Sequence, residues 1–459
     1  MNSQSPTNDE KVFVMESLFT QGGECQCVYP DECGDAGGCG LGISAVDLAT
    51  PFGFGHARFF NERLISTCDP ECEPVNFDFG NGYNWLASDW PYVLDKCGPP
   101  VIVVLPPRRM LRFCINETTP YGEYDYVYKA GGCGDCPDPG FADPKEERSA
   151  DQLRYEFFYA EDQFTLKDAD GSIWRFLGFR PDRAERGRFK SFESGSLKAE
   201  VTAYTSEGHI GHVHLSEEKI GEGDLSYSYA LGSDGVERLT RVEYTGPTVD
   251  GKEAHLAVEY TYYGSGDPHG SLGDLKTATQ EQFLGGAWVA TDTWYYRYTN
   301  VDGAHRVRFP FDPEAFERLK SDPAVSDPLT ASDAKASEYA NRWLEYDASA
   351  RVNWESILGS PETTFSYEDG DQSDSDFNAF KLKTVATRSD GLVRTTYRNF
   401  HRQLLLEETK ESASATESFL DYRQYDGDGN LVLHATPAAL AGYSVSGYTV
   451  APQYRSEGG

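Results

Sequence analysis

The chain has 459 residues, enough for a substantial hydrophobic core, and 13 % of them are aromatic, with 28 Tyr and 26 Phe against 3 Met. Flat rings pack across pleated surfaces, so this is the composition of a folded, strand-rich protein and not of a disordered one. Against 41 Lys and Arg stand 74 Asp and Glu, a net charge of −33, a field that repels phosphate backbones and anionic lipid and so disfavours nucleic-acid binding.

Residues 1–24 are polar and are expected to be disordered; they lack the basic and apolar stretches of a signal peptide. No apolar run reaches the roughly 18 residues of a membrane span; the best, Val101 to Pro106, suffices for one strand. Ten cysteines (Cys25, Cys27, Cys33, Cys39, Cys68, Cys72, Cys97, Cys114, Cys133 and Cys136) crowd one Gly-rich segment. An even, clustered set predicts a disulfide framework and an oxidising compartment. Zinc is the rival reading, because Cys133-Gly-Asp-Cys136 has ligand spacing and Cys25-Gln-Cys27 or Cys68-x3-Cys72 fits a second pair loosely. Residues 25–140 thus read as a Cys-rich β region, and Pro137 to Ala150 as a linker of proline and charge.

From 151 to 459 the dominant period is two. Tyr155, Phe157 and Tyr159 alternate, then Phe164 and Leu166, and a turn at Asp168-Ala-Asp170-Gly171 leads to Trp174 and Phe176. The same pattern returns at Leu225, Tyr227, Tyr229 and Leu231, at Leu256, Val258, Tyr260 and Tyr262, and at Trp294, Tyr296 and Tyr298. Leu382–Thr387 and Leu392–Tyr397 face each other across Ser389-Asp390-Gly391. Each is a strand with one apolar and one wet face, joined in hairpins. A helical insert is predicted over about 312–346. Asp312 caps a first helix with Pro313 in its first turn and Phe316 and Leu319 on one face. The spacing of Ala336, Tyr339, Ala340 and Trp343 predicts a second from Ser332 to Tyr346. Residues 366–376 read as an acidic loop. Phe419 to His434 then forms a hairpin around Asp426-Gly-Asp428-Gly-Asn430, with Leu420 and Tyr422 on one strand and Leu431 and Leu433 on the other.

The wording of that hairpin, Tyr-x-x-Tyr-Asp-x-x-Gly-Asn-Leu, resembles one unit of the YD-repeat (Rhs) family. So do VEYTYYGSGDPHGSLGDLKTAT (258–279), WYYRYTN (294–300), FDPEAFERL (311–319) and LTASDAKASEYANRWLEYDASARV (329–352), in the family's order. FTLKDADGSIWRFLGF (164–179) is similar to the entry strands of such arrays; over 25–140 the likeness thins to NGYNW (81–85) and VIVVLPP (101–107). The resemblance implies an all-β fold: a curved or spiralling antiparallel sheet forming part of a shell. It also implies a non-enzymatic role as a shell or scaffold segment, that of a truncated polymorphic-toxin carrier whose toxin domain or remaining array is encoded downstream. The alternative is a surface module that binds glycan or protein through exposed Tyr and Trp. Family and cysteines together imply secretion or surface display, while the missing signal peptide leaves the cytoplasm open.

No site for chemistry stands out against this reading. His209-Ile-Gly-His212-Val-His214 is the best metal cluster, since His212 and His214 share a strand face; a polar strand face explains it as well, and no metal or cofactor is expected. Asp426-x-Asp428-x-Asn430 opens like a calcium loop, but Leu431 occupies its glycine position and Pro437 its glutamate position. Gly40-Leu-Gly42-Ile-Ser-Ala45 follows a Cys/Gly loop where a dinucleotide site needs a strand. Gly-x-Ser-x-Gly, His-Glu-x-x-His and P-loop motifs are missing, so the expectation is no catalytic activity.

Overall fold

Alternating apolar residues and Asp/Gly turns leave this chain one economical course: strand, hairpin, strand. The computed structural model describes residues 42–61, 78, 80–87, 90–95, 101–105, 109–118, 123–128, 154–158 and 162–455, apart from 168–170, 181, 249, 302, 372–375, 401, 402 and 428. Among these the fold is all-β, with antiparallel sheets of three, sixteen, eight and two strands. In the sixteen-stranded sheet each strand pairs with its neighbour in sequence, from Tyr92–Asp95 at one edge to Ala304–Phe311 at the other. Glu123–Tyr128 pairs directly with Arg154–Phe158, so one ladder runs on either side of the stretch read as a linker, which lies outside the described residues. Cys114 sits on the strand Arg109–Thr118; its side chain and the other nine cysteines also lie outside the described residues.

The large sheet is rolled. Its edge strand Tyr92–Asp95 forms a bridge from Tyr92 to Arg188, and Val93 N donates to Gly187 O at 2.7 Å. Arg188 and Gly187 also bond Leu177, at the end of Ile173–Leu177. The edge therefore meets the start of a strand seven places away in its own ladder, a gap of about 34 Å in a flat sheet. Gly187 permits the contact: its φ is +70°, and a Cβ there would strike the Val93 carbonyl oxygen.

A small sheet of Gly42–Leu48, His56–Asn61 and Trp85–Ala87 packs against the inside of this wall as a plug. Phe54 packs on Trp174 and Phe192, Trp90 on Phe189 and Tyr227, and Trp85 on Tyr296. Phe60 and Trp85 are fully buried.

The helical insert covers the other face of the wall near its far edge. Pro313–Lys320 is a helix whose Asp312 cap accepts from Ala315 N at 2.7 Å, and Phe316 packs on Tyr295. Tyr295 and Arg297 consequently face the insert while Tyr296 and Tyr298 face the plug, so four successive residues are buried where alternation predicts every second one. The second helix is shorter than its spacing predicts. Asp333–Ala336 makes one turn, and Arg342–Tyr346 is a strand paired with Val352–Ile357. Asn341 decides the change: its amide bonds Asp312 through both Oδ1 and Nδ2, and its backbone N–H donates to Pro310 O, holding the chain against the preceding strand. Trp343 then packs on Phe309 and Trp354 as a strand residue.

Arg342–Tyr346 begins the eight-stranded sheet, joined to the wall by the Tyr346 hydroxyl on Val307 O at 2.6 Å. A second core of Phe380, Tyr397, Leu406, Leu420 and Tyr422 lies beneath it, closed by the hairpin Leu440–Ser446 and Thr449–Tyr454. Residues 366–369, read as loop, belong to the strand Thr363–Asp369. The hairpin over 419–434 forms as Phe419–Tyr425 and Leu431–Ala435. Leu420 and Tyr422 are buried, whereas Leu431, at the start of the sheet's last strand, is 53 % exposed.

Candidate functional site

The three histidines do not converge. His212 and His214 share a face of the strand Ile210–Glu217, where Asp224 lies opposite His214. Asp224 Oδ1 is 2.9 Å from His214 Nδ1 and 3.5 Å from His212 Nε2, and His212 Nδ1 lies 2.6 Å from Thr202 Oγ1. His209, just before the strand, stacks on Tyr229 with centroids 5.0 Å apart. Burial, then Arg188, pushes its imidazole down to about 4. No group of three His, Cys, Asp or Glu placed to hold a metal occurs among the described residues. The Asp426 turn is likewise occupied by its own chain: Asn430 N donates to Asp426 Oδ1, and Gln403 Nε2 to Gly429 O; Asp428 lies outside the described residues.

The concentrated polar chemistry lies where plug meets wall. Asp47 accepts from the Tyr260 hydroxyl at 2.6 Å and faces Arg58 Nη2 at 3.1 Å, while its carbonyl accepts from Gln280 Nε2 at 2.7 Å. Arg58 also lies over the rings of Trp85, Trp294 and Tyr296. Burial pushes the Asp47 carboxyl up to about 6, with Arg58 and the Tyr260 hydrogen bond pulling the other way. The neighbouring His56 is pushed down to about 3, by burial first and then by Arg58. Sequence reading missed this set. Its one signal is His56 and Arg58 two apart in an otherwise apolar strand, GHARFF.

A second lock secures the 78–85 loop. Arg238 reaches Asp78 through Nε at 2.6 Å and Asp234 through both Nη atoms, at 2.9 and 2.6 Å. Asp78 Oδ1 accepts from Gly80 N and Gly82 N, and Tyr83 stacks on His305, which bonds the buried Asp274 at 2.7 Å. NGYNW is thus the peg that fixes the plug to the sheet.

Between these ties a pocket of about 50 Å³ opens beside the seam, walled by His56, Trp90, Arg188, His209, Tyr227 and Tyr229 among others. It is far smaller than the several hundred Å³ of an ordinary substrate site. Among the described residues no helix is long and apolar enough to cross a membrane.

No protein-family model matches the chain, and no curated protein does. Among solved structures it is similar to a porin-like protein from Bacteroides uniformis, at 10 % identity over 70 % of this chain and 92 % of that one, with a TM-score of 0.20. It is also similar to a TcdB2–TccC3–Cdc42 structure, at 12 % identity over 85 % of this chain and 21 % of that one, TM-score 0.21. The Photorhabdus luminescens Tc holotoxin pore matches at 12 % identity over 91 % and 24 %, TM-score 0.19. The chain spans a fifth to a quarter of the length of these two toxin chains. Superpositions this loose carry no argument about what the chain does.

Proposed function

We propose that the chain is a non-enzymatic structural wall, a shell or scaffold segment of the YD-repeat (Rhs) kind, closed on its inner side by its own plug. The supporting observation is the way the buried polar groups are used. Asp47 accepts from Tyr260 and Gln280 across the plug–wall contact and is ion-paired within the plug to Arg58, whose guanidinium lies over wall and plug rings, and Arg238 binds Asp78 and Asp234. An active site presents such groups to a substrate; here they are engaged in ties and ring contacts between plug and wall. The opposite edge suits continuation. Leu431–Ala435 pairs on one side with Phe419–Tyr425, and its Leu431 and Val432 are 53 % and 58 % exposed, a surface open to pairing with further strands. The finer reading is a carrier whose remaining array or toxin domain is encoded downstream, in a secreted or surface setting.

Surface recognition is the second reading, favoured by Phe283, Leu284 and Val289, 41–50 % exposed at one hairpin end beside Trp288. A panel of glycans, peptides, esters and phosphoesters offered to the full chain tests both. The wall reading expects neither turnover nor saturable binding. Turnover lost in folded His209→Ala, His212→Ala or His214→Ala protein would overturn it, and glycan or protein binding lost in Trp288→Ala would replace it with display.

A further inference from the structure

Charge is spread along this chain, 25 % of whose residues carry it, yet from Leu431 to Tyr454 there is no Asp, Glu, Lys or Arg. That stretch holds the last strand of the eight-stranded sheet, Leu431–Ala435, and the hairpin that closes the second core. It also holds Leu431, Val432, Val445, Tyr448 and Tyr454, each 42–58 % exposed. Tyr454 pairs with Leu440, which is buried in the second core together with Ala435, so strand and hairpin end share one region. Exposed apolar side chains gathered on neutral ground mark a contact surface.

The backbone there is open as well. Among the described residues Leu431–Ala435 ends its sheet and pairs with Phe419–Tyr425 alone. It carries neither the lysine nor the proline that commonly guards an edge. The two edges of the large sheet are answered: Tyr92–Asp95 meets Gly187 and Arg188 at the seam, and Pro310 O, on Ala304–Phe311, accepts from Asn341 N.

Charge and sequence then select the occupant. Two copies of a chain of net charge −33 repel each other, least of all where charge is missing. A strongly charged partner would find little to pair with, because Asp421 on the neighbouring strand already faces Arg423 at 3.4 Å and His434 at 2.7 Å. The strand is complementary to itself. Laid antiparallel about Leu433, it sets Leu433 against Leu433, Leu431 against Ala435 and Val432 against His434, with no like charges opposed. Opposite residues share a face, so Leu433 and Ala435, which pack on the second core, would meet their equivalents on the same side.

We propose that Leu431–Ala435 pairs with the same strand of a second copy of this chain, joining two eight-stranded sheets about a twofold axis at Leu433. The inference deepens the wall reading, on whose open edge it rests, by naming what continues the sheet.

Sedimentation velocity of the full chain over a concentration series tests it, with amide exchange followed at 431–435. The expected result is a shift from one chain to two as concentration rises, strengthened by salt that screens the repulsion, with exchange at 431–435 slowing in step. Leu431→Lys and Val432→Lys, both at exposed positions, are expected to weaken association by roughly tenfold or more. Leu231→Lys, 73 % exposed on the large sheet, is expected to leave it unchanged. A chain that stays monomeric at every concentration would overturn the proposal, as would a dimer that both edge variants leave intact. Monomers that sediment with phosphatidylcholine vesicles, and fail to in Val432→Lys, would assign the surface to lipid and overturn it equally. The non-enzymatic reading stands apart from these outcomes, since the substrate panel tests it separately.

Discussion

Tyr260 and Asp47 stand 213 residues apart in the chain, and the tyrosine hydroxyl donates to Asp47 Oδ2 across 2.6 Å in the buried interior. One side chain belongs to the wall and the other to the plug, so this bond records how the two are fastened. Tyr260→Phe keeps the ring and removes the donor, leaving the buried carboxylate short of a partner. The expected loss is about 1–3 kcal/mol in urea denaturation. His214→Ala is the control: its side chain is 36 % exposed, and surface changes of that kind stay within about 0.5 kcal/mol. Equal effects from the two would mean that the tie does not hold the plug.

Trp85 and Trp294 separate in the same way. Trp85 is fully buried and donates its Nε1 to the Tyr298 hydroxyl at 2.9 Å; Trp85→Ala is expected to cost about 3–5 kcal/mol. Trp294 is only partly buried, so Trp294→Ala should cost distinctly less, although alternation alone ranks it with the core. Thermal melts of the two variants side by side decide the order.

Asp47 and His56 give opposing pH dependences. The Asp47 carboxyl, raised from 3.8 to about 6, keeps a proton when folded that the unfolded chain has lost. Its contribution to stability is therefore complete below about 3.8 and fades as pH rises through about 6. His56, lowered from 6.5 to about 3, behaves inversely: its contribution is complete above 6.5 and is lost as pH falls toward 3. Between roughly pH 4 and 6 the two proton counts offset. Asp47→Asn removes one side of the balance, so the variant should lose stability on acidification faster than wild type, by about 1.4 kcal/mol per pH unit. Urea midpoints across that window measure it, and parallel curves for variant and wild type would rule the account out.

Gly187 guards the seam. With φ at +70° and the Val93 carbonyl where a Cβ would go, Gly187→Ala must break the Val93–Gly187 bond or strain the backbone, at a cost of about 1–3 kcal/mol from conformation alone. Amide exchange is expected to rise first at Val93, before the remainder of the wall responds.

Much of the fold is local and could be read before the structure. Leu225 and Tyr227 are buried by strict alternation, and Asp312 with Pro313 marks a helix start that forms as written. What misled was context. The helical spacing around Trp343 yielded to Asn341, whose partner Asp312 lies 29 residues away, and Leu431 stands exposed on the last strand of its sheet. His212 and His214 share a face as their spacing requires, while His209 turns to Tyr229 and leaves them.

The sequence by itself determined the strand period, the turns, the first helix and the acidic surface, because each depends on residues within a few positions of one another or on composition alone. Only the tertiary structure decided that the sheet rolls until Tyr92 meets Arg188, that 42–61 and 85–87 fill its inside, and that Asp47 finds Tyr260. Those contacts join positions 96 to 213 residues apart. Strand periodicity says which way a side chain faces but not how far a sheet curls, and it is the curl that chooses the partner.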